Sequence, residues 1–214
     1  MILSERLQRG RQAEIPFAFF DFDGTLTRSD TFMPFLHYCA GWRYYPKLLR
    51  VAPVLAGYLT KLVANDVAKE AVLTAFLRGC TETQLEKAAC TFVQQGLPHR
   101  LLPEGMQKLH EHRQKGHYCI LVSASPELYL TEWAKQQGFD GILGTRLAVS
   151  DGRLTGKLSG RNCFGEEKVV RIEAEYGQNC WCNSFAYSDS VTDMPMLQRA
   201  AHGFLWHKQT FQPI

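Results

Sequence analysis

The chain has no unbroken apolar run of the roughly 20 residues that a membrane-crossing helix needs. Its most apolar stretch, 47–63, is interrupted by Lys47, Arg50 and Lys61. Those charges favour a helix buried inside the protein over one lying on a membrane surface. There is no internal repeat, no low-complexity segment and no basic stripe. The formal net charge of +3 is too small to imply a nucleic-acid partner. Arg6, Arg9 and Arg11 read as a solvated leader, and MILSERLQRGRQ lacks the apolar core of a signal peptide, so secretion is not expected. The seven cysteines are odd in number and lack paired spacing, which fits a reduced, cytoplasmic protein. Cys180-Trp-Cys182 lacks the two-residue gap of a zinc motif, and His110 and His112 face different sides of their helix.

What is present is an ordinary globular composition, 45% hydrophobic and 21% charged over 214 residues. That length suits one domain with an insertion or two small domains. The sharpest feature is Phe17-Ala-Phe-Phe20 running into Asp21-Phe-Asp23-Gly-Thr25. Such an aromatic run, too short for an amphipathic helix and stopped by Gly24, has the profile of a central parallel strand. Strand alternation points Asp21 and Asp23 the same way at its end. Two carboxylates so close require a cation or a shared proton.

Downstream, 31–99 reads as all helical. Asp30 or Thr31 caps the first helix, and Pro53 should kink or split the second, over 47–63. A third helix is expected over 66–78, ended by Gly79. Thr81-Glu-Thr-Gln84 is a capping box that opens a fourth, which stops at Gly96. From residue 101 helices alternate with short strands: helices over 104–115, 126–137, 166–176 and 193–201, and strands over 117–122, 142–149, 184–187 and 203–206. Ser125 is placed to cap the helix at Pro126, and Asp151-Gly152 marks a hairpin. This alternation predicts an α/β fold, a parallel sheet with helices on both faces, carrying an inserted helical segment.

Predicted strand ends carry Asp21 and Asp23, Ser123 and Asp189, and in open parallel sheets the ligand site lies beyond those ends. Lys168 opens a helix, an unfavourable place for a cation with respect to the helix dipole, so an anionic partner is indicated. Asp193 sits where it would cap the following helix.

The segments Asp21-Phe-Asp23-Gly-Thr25, Leu121-Val-Ser123-Ala-Ser-Pro126, Asn162-Cys-Phe-Gly-Glu-Glu-Lys168 and Tyr187-Ser-Asp189-Ser-Val-Thr-Asp193 occur in the order of the four motifs of the haloacid dehalogenase superfamily. The chain resembles its phosphoserine-phosphatase-like branch, subfamily IB, from about residue 17 to about residue 200. The resemblance implies a Rossmann-like core, 1–30 and 100–214, with a helical cap domain at 31–99. It implies phosphomonoester hydrolysis with Asp21 as nucleophile and Asp23 as general acid and base. Mg²⁺ would bind Asp21, the Asp23 backbone carbonyl and Asp189, with Asp193 ligating or orienting a metal water. Ser123, Lys168 and the backbone near Gly24 and Ala124 would hold the phosphate.

A small-molecule phosphate ester is the implied partner. Phosphoserine is one candidate, with Asp30 where the branch carries an acidic residue for the substrate ammonium; no arginine stands where the branch meets the carboxylate, Lys69 and Arg78 being only nearby. A lipid phosphate, as in the bacterial phosphatidylglycerophosphatase of type C, is another. A non-catalytic relative that binds phosphate ligands or a protein partner is the reading from a different class. Oligomeric state is not legible.

Overall fold

The computed structural model describes residues 15–214, so the expected arginine leader lies outside the described residues. In chain order the elements are β1 (Phe17–Phe20), α1 (Phe32–Ala40), α2 (Tyr44–Leu59), α3 (Asn65–Leu77), α4 (Glu82–Thr91), α5 (Pro103–Gln114), β2 (Tyr118–Pro126), α6 (Glu127–Gln137), β3 (Gly141–Thr145), β4 (Leu147–Ser150), β5 (Arg153–Leu158), α7 (Glu166–Tyr176), β6 (Phe185–Ser188), α8 (Met194–Arg199), β7 (His202–His207) and β8 (Thr210–Pro213). Six strands form one sheet in the order β3-β2-β1-β6-β7-β8, parallel except for β8. The aromatic run is therefore the interior strand from which β2 and β6 are both hydrogen-bonded.

Because side chains alternate along a strand, β1 feeds two cores. Phe17 and Phe19 pack with Ile120, Ile172, Met196 and Trp181 on one face. Ala18 and Phe20 pack on the other with Leu109, Leu130, Trp133 and Tyr187. That second cluster continues without a break into Phe35, Leu36, Val72, Leu73, Phe76 and Phe92, so the helices between β1 and β2 share one interior with the sheet. The β4–β5 hairpin extends this attachment. Thr74 Oγ1 donates to Gly156 O at 3.0 Å, and a Cβ at Gly156 (φ 82°) would lie 2.5 Å from Thr74 Cα. Only glycine permits the helix to approach this closely.

Local sequence signals and structure agree at several points. Thr81 and Gln84 form the reciprocal capping box, and Asp151 and Gly152 both take positive φ in the two-residue turn. Four readings are corrected. The strand expected over 142–149 divides into β3 and β4 around Arg146, because its second half leaves the sheet to pair with β5. Pro53 does not split its helix: α2 runs through it from Tyr44 to Leu59. Nor is α2 buried, since Val51 is its one fully buried side chain. Finally, β8 has no counterpart in the sequence reading.

The β7–β8 turn explains that omission. Lys208 and Gln209 occupy it with φ of 48° and 63°, a left-handed conformation without the Asn or Gly that usually signals it. Replacing Lys208→Asn together with Gln209→Gly relieves this cost and raises stability by about 1 kcal/mol, or about 2–4 °C in Tm. A Tm unchanged or lowered in a thermal melt would contradict the turn described.

Candidate active site

The end of β1 is fixed by the Asp21 N–H, which donates to Tyr187 O at 3.0 Å. The chain then turns, with the N–H groups of Leu26 and Thr27 both directed at Phe22 O. Gly24 has φ 80°, and a Cβ there would lie 2.0 Å from Asp189 Oδ2, so the loop after β6 and the loop after β1 meet at a bare backbone.

The strand stops at Phe20, one residue before the first aspartate, so pleat alternation does not set the direction of the two carboxylates. They belong to separate hydrogen-bond networks. Asp21 is buried, and its Oδ1 accepts from Lys168 Nζ at 2.6 Å. The same ammonium donates to Asp193 Oδ2 at 2.6 Å, and Asp193 Oδ2 also accepts from Ser188 Oγ at 2.7 Å. Burial works against the Lys168 charge, but the two carboxylates more than offset it and hold the ammonium above its ordinary value. Burial pushes Asp21 upward in turn, against the pull of Lys168.

Asp23 is gripped from the opposite side. Its Oδ1 accepts from the Thr31 N–H at 2.7 Å and from Thr31 Oγ1 at 2.6 Å, and its Oδ2 accepts from Ser125 Oγ at 2.6 Å. Thr31 Oγ1 gives its proton to Asp23, so the Tyr129 hydroxyl 2.9 Å away donates to Thr31. Burial first, then the negative charge of Asp30, lift Asp23 to about 6, with the Ser125 and Thr31 hydrogen bonds opposing the rise. Ser125, expected as a helix cap, therefore serves the carboxylate: α6 starts at Glu127 with no side-chain cap.

Ser123 is buried, and its Oγ accepts from the Ser125 N–H at 3.0 Å. The Ala124 carbonyl accepts from Thr145 Oγ1 at 2.6 Å and from Lys69 Nζ. Lys69 comes from α3 and also donates to Asn162 Oδ1 at 2.8 Å, while Asn162 Nδ2 donates to Asn65 Oδ1 at 2.5 Å. Burial lowers Lys69 to about 8, with Asp23 among the charges resisting. This latch between α3 and the sheet escaped the sequence reading. Asn162 lies inside a quoted motif, but its partners are 97 and 93 residues away and no local pattern announces them. Asp193 has the N-cap position of α8 without a capping hydrogen bond, its carboxylate being committed to Lys168 and Ser188. Asp30 is exposed and accepts the Met33 N–H at 3.1 Å.

All the expected residues, Asp21, Asp23, Gly24, Asp30, Ser123, Ala124, Lys168, Asp189 and Asp193, line one cavity of about 470 Å³. Arg28, Lys69, Asn65 and Asn162 add polar groups to its wall, and Phe32, Met33, Leu55, Tyr58 and Val72 from the helices make the other side apolar. An anionic group at the strand ends and a less polar remainder under the helices match these two halves.

Comparison with known proteins agrees with this geometry. The family model described as haloacid dehalogenase-like hydrolase matches residues 18–198. Protein CicA of Caulobacter vibrioides is 38% identical over 179 residues, which is 83% of this chain and 80% of that protein. A crystal structure of a protein of unknown function from Bordetella pertussis Tohama I superposes with a TM-score of 0.75 at 25% identity, covering 86% of each chain. A phosphoserine phosphatase solved as a phospho-aspartyl intermediate analogue shares the fold, with a TM-score of 0.59 at 20% identity over 88% of this chain and 84% of that one. The family match, which runs from Ala18 in β1 through β2, β3 and β6 and their strand-end loops into α8, places this chain in the haloacid dehalogenase-like hydrolase family.

Proposed function

We propose that this phosphatase hydrolyses phosphate monoesters of small or medium organic molecules in two displacements at phosphorus, under a cap formed by residues 31–99. The observation that carries the reading is the separation of two neighbouring carboxylates into different environments, Asp21 on an ammonium and Asp23 on hydroxyls. Pairs of acids divided in this way are suited to different proton states. A carboxylate oxygen of Asp21 attacks phosphorus; the bond to the ester oxygen breaks, and the Asp23 carboxyl gives that oxygen its proton. The resulting aspartyl phosphate is attacked at phosphorus by water, whose proton passes to Asp23 as the bond to Asp21 breaks. Both aspartates then return to their starting states. Lys168 neutralises the nucleophile before attack and the phosphoryl oxygens during it, while Ser123 and the backbone N–H groups near Gly24 and Ala124 are placed for those oxygens. Asp193 keeps Lys168 in position.

The donor set fits Mg²⁺. Asp21, Asp189 and the Asp23 backbone carbonyl would hold it, and the bare Gly24 leaves the Asp189 carboxylate open to the cavity. Mg²⁺ takes one or two carboxylates and keeps several of its waters, which these oxygen donors allow. When bound, the ion supplies positive charge to the phosphoryl group. The apolar cavity wall from Phe32, Met33, Leu55, Tyr58 and Val72 supports a second reading of the substrate, a lipid phosphate of the phosphatidylglycerophosphatase C type. Phosphoserine is less well supported, because Lys69 is already committed to Ala124 and Asn162.

Turnover of p-nitrophenyl phosphate with Mg²⁺ should fall on the order of a thousandfold or more in Asp21→Asn, and chelation with EDTA should abolish it reversibly. Equal rates for the two proteins would leave only a non-catalytic binding role. A panel including phosphoserine and phosphatidylglycerophosphate separates the substrate readings.

The pH dependence follows from Asp23, which must be protonated when the ester arrives. For an alkyl phosphate, kcat/KM should decline above about pH 6, tenfold per unit, as that proton is lost. The Ser125 hydrogen bond favours the ionised form, so Ser125→Ala should raise the pKa and carry the descending limb to higher pH. A limb that stays in place would show that Asp23 does not control it.

A further inference from the structure

The outer face of α2 has a composition and position that the reaction does not use. Trp42, Tyr45, Pro46, Leu49, Ala52, Pro53, Ala56 and Leu59 recur at helical spacing, and all are exposed. No charged residue lies on that stripe. Trp42, Leu49, Leu59 and, just beyond the helix, Leu62 are each between 78% and 85% exposed. A contiguous apolar stripe this bare on a folded domain marks an interaction surface.

Its charge identifies the partner. Between Asp30 and Asp66 the sequence contains no acidic residue, and this interval carries Arg43, Lys47, Arg50 and Lys61. Lys47 turns inward to donate to Phe76 O at 2.9 Å, leaving Arg43, Arg50 and Lys61 exposed beside the stripe. Arg43 lies over the Trp42 ring, 5.3 Å from its centre. Aromatic rings with an aliphatic row and flanking cations are the composition of a helix that rests in a bilayer interface, with its arginines and lysines at headgroup level. A second copy of this chain fits less well. A self-complementary contact would bring the same cations of both copies together with no acid between them. No described helix is long and apolar enough to cross a membrane, so the contact is peripheral.

We propose that the exposed face of α2, from Trp42 to Leu62, docks this protein on membranes containing anionic lipids. The opposite side of the same helix contributes Leu55 and Tyr58 to the cavity wall, so docking sets the cavity beside the bilayer surface. The proposal does not depend on which ester is hydrolysed.

Flotation with phosphatidylcholine vesicles, with and without phosphatidylglycerol, tests it directly. The wild-type chain should float with the phosphatidylglycerol vesicles and much less with phosphatidylcholine alone. Leu49→Glu with Leu59→Glu, at exposed positions outside the cavity lining, should lower the partition coefficient on the order of a hundredfold while p-nitrophenyl phosphate turnover is unchanged. Arg50→Gln with Lys61→Gln should lower it about fivefold per charge removed, and added salt should mimic this loss. Wild-type protein that stays with the soluble fraction, a Leu49→Glu/Leu59→Glu protein that floats equally well, or a concentration-dependent dimer abolished by that variant would each overturn the proposal. Loss of turnover in Asp21→Asn with flotation intact separates this inference from the phosphatase reading.

Discussion

The site depends on one buried ammonium. Lys168 Nζ stands between Asp21 and Asp193 at 2.6 Å from each, with all three side chains withdrawn from solvent. Removing one member of such a group costs about 3–5 kcal/mol, because the remaining charges stay buried without a counterion. The interaction therefore requires three elements to converge: the end of β1, the first turn of α7 and the start of α8. Gly165, with φ 58°, turns the chain immediately before α7. Glu166 and Glu167 fill the first turn, where the helix dipole favours acids, and Lys168, disfavoured there, finds compensation in the two aspartates.

Around that centre the polar groups are satisfied. No buried side-chain nitrogen or oxygen among the described residues lacks a hydrogen-bond partner. Asp21 answers to α7, on one side of the sheet. Asp23 answers to Thr31 ahead of α1 and to Ser125 in the last residues of β2, and Tyr129 on α6 completes that chain. The position of α1 is thus written into the environment of Asp23 but not of Asp21. A shift of α1 relative to α6 changes the proton affinity of one acid and leaves its neighbour's principal partner in place.

Much of this was legible from local chemistry. The aromatic run announced an interior strand because few other elements bury consecutive large side chains. Thr81 with Gln84, and Asp151 with Gly152, signalled their conformations because the residues themselves form the cap and the turn. The strand-end positions of Asp21 and Asp189 followed from the alternation of helices and strands, whereas the strand expected to stop at 122 runs on to Pro126 with an irregularity after Val122, so Ser123 lies within β2. What escaped has a common cause. The Lys69–Asn162–Asn65 latch joins residues distant in sequence, and Ser125, expected only as a helix cap, bonds a carboxylate 102 residues away. On α2 both faces are apolar, Leu48, Val51 and Val54 inward and Leu49, Ala52 and Leu59 outward, so periodicity marked a helix without saying which side met water. The left-handed turn at Lys208 and Gln209 lacked the residue types that usually reveal one.

The interior position of β1 also sets the order in which the molecule can be assembled. Phe17–Phe20 leaves the ribosome before either of its hydrogen-bonding partners, residues 118–121 on one side and 185–187 on the other. Until those arrive, four consecutive residues rich in aromatics have no sheet to join, although the helices that follow can form from contacts near in sequence. Pairings over such distances carry a loop-closure cost and are slow to form. Asp21 and Asp23 are thus synthesised well before the strands that enclose them, and a chain interrupted between β1 and β6 would present an aromatic strand with an unpaired edge.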